Sequence, residues 1–264
     1  MSTKTPIRSE LTIDGRRLSY LDFGGAGRPL VALHGHLSEG ASFAHLAEAL
    51  GDEWRVIAPD QRGHGDSDRA DGYERAGYLA DLVALLEHLN LGPVPVIGHS
   101  LGGINAYHLA AARPELVSAL VNVDAPVDLP HREVSPLAFL AALPYTAPTR
   151  EELLAACGPV GPMLAPGMRP LPGGEGWRLS SHPLDTLDSE EHVHGDHWKR
   201  WLGSDCPALL VHGRDSQALP GAQAAAMVER RPGTALVILD TDHFVQLRDP
   251  AGFEAAVRTF LAGL

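Results

Sequence analysis

The 264-residue sequence predicts an α/β fold: a doubly wound, mostly parallel sheet with helices on both faces. Short apolar runs near 30–34, 54–58, 94–98, 119–123, 207–211 and 235–239 have the unbroken hydrophobic character of strands buried on both faces. Helical patterns at 42–50, 76–89, 105–112, 222–229 and 252–261 fall between them. One strand, 94–98, runs directly into Gly98-His99-Ser100-Leu101-Gly102 and then into a helix, so Ser100 stands on a sharp strand-to-helix turn.

The elements follow in chain order. Residues 8–13 and 17–23 alternate as a hairpin would, turned at Asp14-Gly15. The strand at 30–34 leads into His34-Gly35-His36, and the strand at 54–58 into Asp60-Gln61-Arg62-Gly63-His64-Gly65-Asp66-Ser67. In the turn after 94–98, small residues must flank the serine because its backbone approaches a neighbouring strand and helix, and Gly98 and Gly102 meet that need. The strand at 119–123 ends at Asp124, and that at 207–211 is followed by Gly213-Arg214-Asp215-Ser216. The last strand leads to Asp240-Thr241-Asp242-His243-Phe244 and a closing helix.

The stretch 127–205 breaks the rhythm. Pro and Gly clusters such as 158–162 and 171–174 point to a loose, loop-rich segment. It carries three of the four tryptophans, Trp177, Trp198 and Trp201, which read first as packing residues and second as the lining of an apolar pocket. It also contains Glu190-Glu191-His192-Val193-His194-Gly195-Asp196-His197, whose spacing matches no established zinc motif and reads as a solvated face.

Composition limits the partners. Lys plus Arg total 21 against 33 for Asp plus Glu, a net charge of −12, so nucleic acid and anionic membrane surfaces would be repelled. The first residues lack an apolar signal region and no stretch approaches a membrane span, which leads to the expectation of a cytoplasmic protein acting on a small molecule. Two cysteines, Cys157 and Cys206, are too few for a disulfide framework and read as free thiols.

The H-G-x turn at 34–36, the D-x-R-G-x-G-x-S loop at 60–67, the G-x-S-x-G turn at 98–102 and the histidine loop at 240–244 occur in one order. Together they make residues 8–126 and 206–264 resemble the α/β-hydrolase superfamily, in its serine-nucleophile, esterase- or lactonase-like branch. The resemblance implies a core of 1–126 and 206–264, with 127–205 inserted as a cap over the site. It implies Ser100 as nucleophile, His243 as general base, and an oxyanion hole formed by the backbone amides of Leu101 and His36. The His36 imidazole reads first as idle and second as facing the pocket. Arg62 reads as a structural ion-pair residue.

The acid stays open. The family usually places it after the seventh strand, but Asp215 lies one position early, with Ser216 where the acid is expected. Asp124 stands 24 residues after Ser100 (124 − 100), a spacing that some branches use, and Asp242 is a third carboxylate nearby. A serine mechanism needs neither metal nor cofactor. The implied activity is hydrolysis of a small or medium apolar ester, lactone or thioester through an acyl-enzyme. Aspartate-nucleophile dehalogenases and epoxide hydrolases are disfavoured by the serine. Cofactor-free carbon–carbon hydrolases, lyases and dioxygenases share the scaffold, as do ligand receptors with a silent triad.

Overall fold

A computed structural model describes residues 5–264. Strands β1 (Ile7–Ile13) and β2 (Arg16–Asp22) form the expected hairpin, with Asp14 and Gly15 both in the left-handed region (φ 49° and 79°) that such a tight turn requires. The chain continues through β3 (Arg28–Leu33), α1 (Ala44–Leu50), β4 (Trp54–Pro59), α2 (Arg75–His88), β5 (Val94–His99), α3 (Leu101–Ala112) and β6 (Val117–Val123). After residues 127–205 it resumes with β7 (Ala208–Gly213), α4 (Gly221–Arg230), β8 (Thr234–Leu239) and α5 (Pro250–Ala262).

The eight strands form one sheet in the order β1-β2-β4-β3-β5-β6-β7-β8. Strand β2 pairs antiparallel with both its neighbours, β1 and β4, and the remaining pairs are parallel. Alternate residues along each buried strand serve opposite faces. Val31, Leu33, Val96, Leu120 and Leu210 pack under α2, α3 and α4. Leu30, Ala32, Ile97, Val121, Leu209 and Val211 pack under α1 and α5, against Leu46, Leu50, Phe253 and Val257. This two-sided burial explains why strands β3 and β5 through β7 read as continuous apolar runs rather than alternating ones.

Residues 127–205 differ from the loose segment expected. They form short helices at Arg150–Ala156 and Pro183–Glu191, a three-stranded sheet of two-residue strands, and a ladder between Asp128–Leu129 and Gly195–Asp196. Leu153, Cys157, Leu164, Met168 and Leu179 close into a small apolar core of their own. The tryptophans pack: Trp201 is fully buried against Tyr107 and donates from Nε1 to the Met227 carbonyl (2.9 Å), and Arg230 lies over the ring of Trp198. Both cysteines are free. Among the described residues no helix is long and apolar enough to cross a membrane.

Candidate active site

Every parallel strand from β3 to β8 delivers its following loop to the carboxyl edge of the sheet, the edge at which α/β folds place their chemistry. Ser100 is the residue between β5 and α3, with φ 52° and ψ −119°. That strained backbone is tolerated because the turn is clamped: Ser100 N–H donates to the Val123 carbonyl (3.1 Å) and Ile104 N–H to the Ser100 carbonyl (3.0 Å). A side chain at Gly98 would strike the Gly102 carbonyl, and one at Gly102 the Leu33 carbonyl, so the close approach anticipated for this turn is real. The turn presents a partly exposed hydroxyl.

His243 reaches this hydroxyl from the loop after β8. The Ser100 hydroxyl donates to His243 Nε2 (3.0 Å), and His243 Nδ1–H donates to Asp124 Oδ2 (2.8 Å). Asp124 follows β6 directly and is fully buried. Its four lone-pair positions are all used: Oδ1 accepts from Gly213 N–H (3.0 Å) and His212 Nδ1–H (3.0 Å), while Oδ2 accepts from the Ser216 hydroxyl as well as from His243. Burial alone would push this carboxyl upward, but the bonds from His243, Ser216 and Gly213 outweigh it and hold Asp124 below the usual carboxylate range.

Asp215 and Asp242 lie elsewhere. The Asp215 side chain is exposed and does not bond to His243. Asp242 accepts from Phe244 N–H (2.9 Å) and Arg248 Nε (3.0 Å), which shapes the loop that carries His243. Ser216, where an acid was expected, and His212, a polar residue inside an apolar strand, are partners of Asp124 that the sequence did not single out. The histidine's position in an otherwise apolar run was the available signal.

The H-G-x turn abuts Ser100: a Cβ on Gly35 would lie 3.2 Å from Ser100 Cβ and 2.8 Å from His99 Nδ1. Among the described residues the amides of Leu101 and His36 have no hydrogen-bond acceptor, and Leu101 opens helix α3. The His36 imidazole is not idle, contrary to expectation. It is bonded through Nε2 to Ser189 Oγ (2.8 Å), which also contacts Tyr78 Oη (2.8 Å), and its Nδ1 lies 3.5 Å from Glu190 Oε2. The local periodicity of 34–36 could not reveal this, because both partners come from the distant helix Pro183–Glu191.

Burial governs the titratable groups around the serine. It drives His36 well below the ordinary histidine range, with the charges of His64 and Arg75 adding to the effect. His99 is pushed down to about 3 by burial and by neighbouring His243, to whose carbonyl its Nε2–H donates (2.9 Å). Glu190 is pushed up to about 7 by burial and the adjacent Glu191. Arg62 donates to Asp81 (2.8 Å) and the Gly72 carbonyl (3.0 Å), a structural role as anticipated.

The arrangement can therefore transfer the Ser100 proton to a base whose opposite nitrogen is held by a buried carboxylate, beside two free backbone donors. Residues 28–161 match the family model described as alpha/beta hydrolase fold, and the chain belongs to that family, as an enzyme of the hydrolase class. It is 33% identical to the lipase LipV of Mycobacterium tuberculosis, across 88% of this chain and 92% of that one. It is 30% identical to the 2-(acetamidomethylene)succinate hydrolase of Mesorhizobium japonicum, across 90% and 89%. The crystal structure of an E-2-(acetamidomethylene)succinate hydrolase superposes with a TM-score of 0.83 at 27% identity, covering 98% of this chain and all of the other.

Proposed function

We propose that this chain is a serine hydrolase that cleaves a small or medium, largely apolar ester, lactone or thioester by way of an acyl-enzyme on Ser100. The observation that carries the reading is the unbroken hydrogen-bonded series Ser100–His243–Asp124. The relationship to a lipase supports an ester-type substrate.

In this reading His243 Nε2 takes the hydroxyl proton as Ser100 Oγ attacks the carbonyl carbon. The tetrahedral oxyanion is held by the Leu101 and His36 amides, each such donor contributing about 3–4 kcal/mol to transition-state binding. The imidazolium then protonates the leaving oxygen or sulfur, and the acyl group stays on Ser100. Water, deprotonated by His243, attacks the acyl-enzyme, and collapse releases the acid and returns the proton to Ser100. Asp124 keeps Nδ1 protonated throughout and stabilises the imidazolium. Residues 127–205 act as the cap, because Ser189 and Glu190 reach down to His36.

The test is turnover of p-nitrophenyl esters, lactones and acyl thioesters by the wild type and by Ser100→Ala. Wild-type turnover with an acyl adduct on Ser100, trapped by rapid quench and located by peptide mass spectrometry, is the expected result. Activity that survives Ser100→Ala, or covalent labelling by a fluorophosphonate on another serine, overturns the assignment.

A further inference from the structure

The fold brings together three metal-binding side chains that the sequence holds sixty residues apart. His131 lies just beyond the strand Asp128–Leu129, while Glu191 and His194 lie at the end of the helix Pro183–Glu191 and just beyond it. One ligand atom from each of the three lies within 4.8 Å of the other two. The rings of His131 and His194 stack with centroids 4.8 Å apart. We propose that His131, Glu191 and His194 form a binding site for a divalent transition-metal ion, of which zinc is the best fit, separate from the residues around Ser100.

Four features support a site rather than a chance grouping. His194 Nδ1 is buried and has no hydrogen-bond partner among the described residues, although buried polar atoms are nearly always paired, and a metal ion on that nitrogen would satisfy it. Glu191 is exposed and, among the described residues, stands in no salt bridge. The backbones that carry the donors are locked together: Leu129 pairs with Gly195, Asp128 pairs with Asp196, and His197 N–H donates to the Val127 carbonyl (2.7 Å). The donor set of two imidazoles and one carboxylate suits zinc and its transition-metal neighbours, whereas magnesium and calcium prefer all-oxygen shells.

Zinc bonds of ~2.0–2.2 Å in a tetrahedral shell put neighbouring donors roughly 3.4 Å apart. Rotation of the His131 and Glu191 side chains, both of which are exposed, would close the present spacing to that. Water completes the shell on the solvent side. Such an ion would cross-link the segment that follows β6 to the end of the helix whose Ser189 holds His36, and so would brace residues 127–205 internally. The spacing within 190–197 matches no zinc motif because the third ligand, His131, comes from outside that segment.

The test is calorimetric titration of the full chain with Zn²⁺ near neutral pH, after dialysis against a chelator and removal of the chelator. One ion per chain is expected, with affinity lowered at least tenfold by His131→Ala and by His194→Ala, and less by Glu191→Gln. Zn²⁺ should also raise the melting temperature of the wild type but not that of the two histidine variants. His131 is exposed, so its variant should fold normally, and circular dichroism checks this. Absence of stoichiometric binding overturns the proposal, as does binding that both histidine variants retain, which would place the ion on other histidines. Inhibition by zinc that persists in His131→Ala would mark binding at His243 and likewise count against it.

Discussion

Replacing Asp124 by asparagine tests the assignment of roles most directly. Four donors converge on this carboxylate: Gly213 N–H and His212 Nδ1–H on one oxygen, the Ser216 hydroxyl and His243 Nδ1–H on the other. An amide has one acceptor oxygen, so in either orientation its NH₂ faces two donors. If the NH₂ faces His243, the imidazole must present a bare Nδ1 and carry its proton on Nε2, where it can no longer accept the proton of Ser100. The corresponding substitution in a well-studied triad lowers kcat by ~10⁴, which is about 5.4 kcal/mol of barrier. The mismatched buried donors should also reduce stability by about 1–3 kcal/mol. Asp215 is exposed, so Asp215→Asn should change kcat by no more than about twofold. The assay is steady-state hydrolysis of an activated ester that the wild type turns over, with urea melts of each variant to establish folding. Retention of more than a tenth of wild-type kcat by Asp124→Asn, or a larger loss in Asp215→Asn, would refute the argument.

Further outcomes follow from the same contacts. Ser189→Ala removes the hydrogen-bond partner of His36 Nε2, so the His36 amide, which the proposed function assigns to the oxyanion hole, should be held less firmly; one hydrogen bond of ~0.5–1.5 kcal/mol corresponds to a loss in kcat of up to about tenfold with KM little changed. Steady-state kinetics check this, and a change confined to KM would argue against it. Acid should destabilise the protein through buried His99, whose folded pKa of about 3 lies below the unfolded value near ~6.5. The unfolded chain binds the proton first, so stability is complete above ~6.5 and declines as pH falls toward about 3. At pH 5 the loss from this one group is about 2 kcal/mol, readable as a lower urea midpoint than at pH 7.5. Asp124, whose pKa is lowered, has linkage of the same sign, with stability present above the ordinary carboxylate range and lost as pH falls beneath it, outside this window. Glu190, whose pKa is raised to about 7, gains stability as pH falls through that value, so the comparison is made in Glu190→Gln, where an unchanged or higher midpoint at pH 5 would contradict the burial of His99 as a neutral group.

Most of the fold could be read locally. Strand β5, the turn at 98–102 and helix α3 form one continuous covalent segment, and the strain at Ser100 is met by flanking glycines that are visible in the sequence. The alternating order of apolar strands and helices fixed the parallel sheet, because parallel neighbours need a crossover and the helical stretches were long enough to make one. His243 was expected in the loop after the last strand, where the resemblance places the base, and the parallel strands β3 to β8 deliver their loops to one edge of the sheet. The small core of Leu153, Cys157, Leu164, Met168 and Leu179 was not legible, because Pro and Gly interrupt any period and these side chains meet only in three dimensions.

The sequence by itself determined which residues could react and on which edge of the sheet they would gather, since those properties depend on residue type and on local hydrophobic period. Only the tertiary structure decided which carboxylate meets His243. Asp124 and Asp215 both follow strands of the sheet, and their spacing from Ser100 does not measure which one is turned inward. The folded chain buries Asp124 under four donors and leaves Asp215 in solvent, with Ser216 turned in beside it. The same holds for His36, whose partners Ser189 and Tyr78 lie far along the chain. Hydrogen bonds of this kind depend on the angle at which distant elements dock, and no local pattern of residues encodes that angle.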